Sequence, residues 1–161
     1  MATTRAILLP GAAEFPAASF PQYKVDAQRR PLLAYVSGEE GYWTLIAPQG
    51  LTGTLTAVIS YYMETAATNY VRLEVRVEAV GDGDSQDMDA TSGWDTTNQS
   101  DDDIAVPGTQ GYMEQISVVL ANKDSIAVAD YVRIGVKRVA PSGTDAADDM
   151  HILAVELRDA A

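Results

Sequence analysis

The stretch Tyr70-Val71-Arg72-Leu73-Glu74-Val75-Arg76-Val77-Glu78-Ala79-Val80 decides the reading of the fold. Val71, Leu73, Val75 and Val77 share one parity, and Arg72, Glu74, Arg76 and Glu78 share the other. Successive side chains of an extended chain point to opposite faces, so this period of two gives one apolar and one charged face. That is the signature of a half-buried antiparallel strand. Residues 130–139 repeat it, with Val132, Ile134 and Val136 opposite Arg133 and Lys137. Residues 150–158 set Leu153, Val155 and Leu157 against Ala154, Glu156 and Arg158, and residues 114–120 put Ile116, Val118 and Leu120 on a core face. Residues 54–63 are apolar on both faces around Val58, Ile59, Tyr61 and Tyr62, which predicts a more buried strand. Shorter strands are expected at 32–36 and 42–47.

Turn chemistry separates these runs: Ala67-Thr68-Asn69, Asn122-Lys123-Asp124 and Pro141-Ser142-Gly143. No long helical period competes. The expected fold is all-β, an antiparallel β-sandwich of jelly-roll topology with an extended N-terminal arm. Tyr70-Val71-Arg72-Leu73-Glu74-Val75 is echoed by Tyr131-Val132-Arg133-Ile134-Gly135-Val136, which predicts equivalent places in two different sheets. The flanks do not match, so this is not a tandem repeat.

The 161 residues suit one domain with a real core. Acidic residues outnumber basic ones 23 to 11, a net charge of −12, which argues against nucleic acid because phosphate binding needs Lys and Arg. With no cysteine and one histidine, His151, disulfides, thiol catalysis, cysteine metal sites and multi-histidine metal sites are excluded. The apolar run Ala6-Ile7-Leu8-Leu9 is too short for a secretory core. The uncharged stretch 41–63 is broken by Pro48, Gly50 and Gly53, so it reads as two strands and no membrane span is expected. Synthesis in the cytoplasm is the default.

Residues 1–40 form a different region from residues 41–161, the expected sandwich. They hold four of the seven prolines, and Arg5, Lys24, Arg29 and Arg30 balance Glu14, Asp26, Glu39 and Glu40. Proline fixes φ and removes a donor, so an extended, irregular arm is expected. Ile7, Leu8, Leu9, Phe15 and Phe20 are too apolar for a free tail and predict packing on the parent domain or on a neighbour. On the neighbour reading, deleting residues 2–22 leaves the sandwich folded.

Candidate chemistry is sparse. Asp82, Asp84, Asp87, Asp89, Asp95, Asp101, Asp102 and Asp103 suggest calcium, but the spacing fails: Asp87 replaces the required glycine and Gly93 the bidentate glutamate. A solvated loop that binds no metal is expected. His151 has no nucleophile motif to serve and reads as structural or interfacial. Gly81-Asp82-Gly83-Asp84 would repel phosphate. Carboxylates for glycoside cleavage have no distinguishing context. No catalytic, cofactor-binding or metal residue is assigned. Trp43 reads as core, and Trp94 as an interface, loop-packing or sugar-stacking aromatic.

Three segments carry a family likeness: Asp87-Met88-Asp89-Ala90-Thr91-Ser92-Gly93-Trp94-Asp95-Thr96-Thr97-Asn98, then Val106-Pro107-Gly108-Thr109-Gln110-Gly111-Tyr112, then Ile116 through Tyr131 with His151-Ile152-Leu153-Ala154-Val155-Glu156-Leu157. With Leu120-Ala121-Asn122-Lys123-Asp124-Ser125-Ile126-Ala127-Val128-Ala129-Asp130-Tyr131-Val132-Arg133, they resemble a group of tailed-phage virion proteins. The resemblance implies a jelly roll on the particle, as a homotrimeric capsid decoration (cement) protein or a head or tail fibre knob. On that reading the protein is no enzyme and is made in the host cytoplasm. It coats the capsid exterior and contacts the major capsid protein, and the apolar arm residues Ile7, Leu8, Leu9, Phe15 and Phe20 are then expected to contact the capsid or an adjacent copy. The alternative is a fibre or receptor-binding module for host glycans, with Trp94 as a ligand aromatic.

Overall fold

Strand β6 (Tyr70–Val80) lies in the middle of the smaller of two antiparallel sheets, flanked by β10 (Tyr131–Val139) and the short β7 (Asn98–Gln99). β4 (Glu40–Ile46) closes the far side of β10, and β8 (Ile104–Ala105) pairs the start of β6. Val71, Leu73, Val75 and Val77 are fully buried, as are Val132, Ile134 and Val136 opposite them. Each such side chain contributes about 1.5–3 kcal/mol when taken out of water. The two echoing segments are therefore direct antiparallel neighbours in one sheet, with Val136 across from Val75, and not equivalents in two sheets. A two-faced alternating strand fits beside another strand of the same pattern, because register then matches apolar to apolar and charge to charge.

The larger sheet runs β2 (Gln22–Val25), β3 (Pro31–Tyr35), β11 (Met150–Asp159), β5 (Leu55–Met63) and β9 (Glu114–Leu120), with β1 (Thr3–Leu8) also on β11. β5 lies between β11 and β9, which explains its two-faced burial: Val58 and Ser60 are buried as well as Leu55, Ala57, Ile59 and Tyr61. Ile152 pairs Tyr61 while Ala154 pairs Ser60, so Leu153 is the extra residue of a bulge. A bulge reverses the phase of alternation. Met150 and Ile152 thus reach the core with Val155 and Leu157, and Leu153, expected inside, is only half-buried. This computed structural model describes residues 2–51, 53–89 and 92–159. Among them no helix is long and apolar enough to cross a membrane.

Residues 2–40 are woven into the sandwich. β1 runs antiparallel along β11, from Thr3 opposite Asp159 to Leu8 opposite Val155. A 3-10 turn, Pro10–Ala12, starts on proline, whose missing N–H is not needed at a helix start. The chain then crosses to the smaller sheet, where Glu14 and Tyr42 exchange backbone hydrogen bonds of 2.7 and 2.9 Å. It returns as the β2–β3 hairpin. The indole N–H of buried Trp43 donates to the Leu9 carbonyl at 2.9 Å. The expected arm is thus three strands of the larger sheet and a bridge to the other. Deleting residues 2–22 would remove β1 and the start of β2, so the segment expected to be separable from the sandwich is part of the larger sheet.

Candidate functional site

The outward face of the smaller sheet gathers the charged parity of β6 and β10. Register places Tyr42, Gly135 and Arg76 in one row across β4, β10 and β6, with Glu40, Lys137 and Glu74 in the next row and Thr44, Arg133 and Glu78 in the row on the other side. Gly135 leaves a gap in that face. A Cβ there would come within 3.0 Å of Arg76 Cγ and of Glu40 Oε1. The gap is filled by a two-pronged ion pair: Arg76 Nε donates to Glu40 Oε1 at 2.5 Å and Nη2 to Glu40 Oε2 at 2.8 Å. The Tyr42 hydroxyl donates to Glu40 Oε2 at 3.2 Å and accepts from Arg76 Nη2 at 2.9 Å. Burial, with the nearby Glu40 carboxylate, raises the Tyr42 phenol above its ordinary pKa, so it stays a donor.

Trp94 lies over this row. Its ring is 5.5 Å from that of Tyr42, and the Arg76 and Arg133 guanidinium carbons are 4.3 and 4.8 Å from its centroid. Both are cation–π distances. Glu78 fixes the loop that carries the indole. It is 1% exposed, and its carboxylate accepts from the Gly93 N–H at 2.5 Å, the Gln86 amide at 2.9 Å and Arg133 Nη1 at 2.9 Å. A buried carboxylate is tolerable only when its lone pairs are matched in this way. Trp94 itself remains partly exposed. Beside it opens a polar pocket of about 120 Å³ lined by Glu40, Glu74, Arg76, Thr97 and Lys137. An aromatic pair next to clustered forked donors and acceptors can hold a ligand that has both an apolar face and hydroxyl groups.

Two of the segments that carried the family likeness meet at Asp95–Asn98 and Asn122–Asp124, as turn closures. Asp95 Oδ2 accepts from the Asp124 N–H at 2.7 Å, and Asp124 Oδ2 from the Ala79 N–H at 2.8 Å. Buried Asn98 accepts from Asn122 N at 2.8 Å and donates to the Asn122 carbonyl at 2.7 Å. Asp124, Ser125 and Ala129 adopt positive φ, between 50° and 72°, which the turn can hold because these bonds fix it.

The remaining residues singled out from the sequence separate in space. Of the apolar residues expected at an interface, Leu8 is 6% exposed and belongs to the protein's own core, which corrects its assignment. Ile7, Leu9, Phe15 and Phe20 remain exposed at 59%, 55%, 40% and 44%, and the two phenylalanine rings lie 5.8 Å apart. Asp82, Asp84, Asp87, Asp89, Asp101, Asp102 and Asp103 are exposed, and several close local turns or, like Asp102 with Arg72, pair with a cation. Ala90 and Thr91, within the first segment of the likeness, lie outside the described residues.

His151 stands on the outer face of the other sheet, paired across β5 with Tyr62, whose ring meets it edge-on at 4.8 Å. Among the described residues neither ring nitrogen has a hydrogen-bond partner, although the residue is 5% exposed. Burial holds its pKa below the ordinary histidine value of 6.5. Glu64 and Asp149 lie beside it, and Lys24 Nζ contacts Asp149 Oδ2 at 2.7 Å. Reasoning from sequence missed Gly135 and Asp149. Each carries a signal there: a glycine inside an alternating strand, and an acid two residues before the chain's one histidine.

No family model and no curated protein matches this sequence. Among solved structures, a xylan-binding module superposes with a TM-score of 0.50 at 11% identity, covering 97% of both chains. A carbohydrate-binding module from Cellvibrio mixtus lichenase 5A, in complex with cellotriose, gives a TM-score of 0.49 at 11% identity over 99% of this chain and 100% of that one. At that identity the likeness to the xylan-binding module is one of fold: two antiparallel sheets in a sandwich.

Proposed function

We propose that this protein is a non-catalytic module that binds a polysaccharide on the outward face of β4, β10 and β6. The observation that carries the reading is the partly exposed Trp94–Tyr42 pair, 5.5 Å apart, flanked by Arg76 and by the pocket of Glu40, Glu74, Thr97 and Lys137. A sugar ring offers an apolar C–H face to an aromatic and a rim of hydroxyls to charged side chains, and this face has both halves side by side. The Arg76–Glu40 pair is held from two sides before any ligand arrives, so little ordering cost falls on binding. The fold shared with a xylan-binding module is compatible with this reading, and the residues named are its support. The test is affinity electrophoresis of the full chain through gels containing xylan, mixed-linkage glucan, galactomannan or an acidic polysaccharide. Retardation by at least one polymer that Trp94→Ala abolishes is expected. No retardation by any of them, or equal retardation of the variant, overturns the proposal.

A second reading, the homotrimeric virion decoration protein, is favoured by one observation, the exposed apolar rim Ile7, Leu9, Phe15 and Phe20. On that reading the rim is buried between copies or against the major capsid protein. Sedimentation at micromolar concentration then gives a trimer that converting these four residues to serine dissociates. A monomer removes the reading's support.

A further inference from the structure

The end of β5 and the start of β11 place three potential ligands together by register alone. Met63 pairs Met150 and Tyr62 pairs His151, so residue 64 falls opposite residue 149, and the Glu64 N–H donates to the Asp149 carbonyl at 3.1 Å. Asp149 and Glu64 lie one residue beyond the ends of β11 and β5, and the extended alternation that continues through them puts both on the same side as His151. One ligand atom from each lies within 4.8 Å of the others, and His151 Nε2 is 3.7 Å from Glu64 Oε2.

The histidine points to a missing partner. Its ring is buried, its two nitrogens are unbonded among the described residues, and one of them faces a carboxylate too far away for a hydrogen bond. Tyr62 packs edge-on against the ring and fixes its plane. The loop leading into Asp149 is also anchored. Buried Arg138 donates from Nη1 to the Asp148 carbonyl at 2.8 Å and from Nη2 to the Ala146 carbonyl at 2.6 Å.

We propose that Glu64, Asp149 and His151 bind one divalent transition-metal ion of the zinc type, with water completing its coordination. An imidazole nitrogen is a metal ligand, and nitrogen donation favours zinc, cobalt or nickel over calcium or magnesium. Two carboxylates balance the charge of the ion. Donors around one tetrahedral ion lie roughly 3–3.5 Å apart, so the three must close by about 1 Å. Glu64, whose side chain is 49% exposed, is free to supply that movement. The Lys24 ammonium already neutralises Asp149 and is partly exposed, so it acts as the competing cation that a metal displaces. The site is on the larger sheet and is independent of the glycan reading, which concerns the smaller one.

The test is calorimetric titration of the tag-free, chelator-stripped full chain with zinc chloride, with calcium chloride in parallel. Nitrogen-15 NMR of the imidazole runs alongside and is unambiguous because the chain has one histidine. One zinc per chain and a shifted ring-nitrogen resonance are expected. Glu64→Gln and Asp149→Asn are expected to weaken binding by at least about tenfold and His151→Gln by about a hundredfold, at or above the loss of an outer-sphere partner. Lys24→Met is expected to tighten binding severalfold. Glu64 is exposed, so its variant reports on the site even if His151→Gln fails to fold. No zinc heat and no ring shift at about 1 mM zinc, tighter binding of calcium than zinc, or zinc binding that Glu64→Gln leaves unchanged overturns the proposal.

Discussion

Two polar clusters, one on the outer face of each sheet, differ in how their groups are matched. On the smaller sheet each charged group that holds Trp94 is matched: Glu78 has three donors, Arg76 has Glu40 and Tyr42, and Arg133 has Glu78 and two rings. At the end of the larger sheet a buried imidazole is left with both nitrogens unbonded among the described residues. An unsatisfied buried polar group costs about 1–3 kcal/mol, whereas a matched network rigidifies its surroundings. The contrast separates a surface already built to present side chains from a cluster that becomes complete only when something joins it.

The largest expected effect strikes the matched face. Glu78→Ala leaves Arg133 and the Gly93 loop without their acceptor and is expected to cost about 3–5 kcal/mol in urea unfolding. A loss under about 1 kcal/mol would mean that the network is not what fixes Trp94, and the contrast collapses.

Acid is expected to weaken the unmatched end next. Burial lowers the folded pKa of His151 below 6.5, so the unfolded chain binds its proton more readily. Stability from this group is full above 6.5 and is lost as pH falls from 6.5 toward the folded value. Glu64, Asp149 and Asp26 oppose the shift and Lys24 reinforces it. His151→Phe is expected to flatten the stability–pH curve over that window. Parallel curves for the two proteins would show that the imidazole is not held neutral.

The smallest effect belongs to the acidic loop, which serves as an internal control. Asp82→Asn combined with Asp89→Asn is expected to change stability by less than about 0.5 kcal/mol, since both side chains are exposed. Added calcium is expected to leave the melting temperature of both proteins unchanged. A calcium-dependent rise of several degrees would move the metal question from His151 to the loop.

Much of the fold was legible because burial of one face writes period two into a strand, as in 70–80 and 114–120. β1 and β2 were not legible. They are short strands flanked by proline, and their apolar residues are divided between core and solvent: Leu8 is buried, while Ile7, Tyr23 and Val25 are exposed. The bulge at Leu153 hides from any pattern that assumes unbroken alternation. Trp94 stood out as an aromatic in an acidic loop, but Tyr42, Arg76 and Arg133 come from three separate strands. Only register brings them together, and register follows from long-range packing that one sequence does not display.

The central claim is that Trp94 is the ligand-binding indole, and the chain's own fluorescence tests it most directly. Of its two tryptophans, Trp43 is 1% exposed and bonded to the Leu9 carbonyl, while Trp94 is partly exposed. Titration with oligosaccharides of whichever polymer retards the protein is expected to shift the emission to the blue and shield it from iodide quenching. Both changes should vanish in Trp94→Phe and persist in Trp43→Phe, provided that variant folds. An emission spectrum indifferent to saturating oligosaccharide, or a response that survives in Trp94→Phe, contradicts the account.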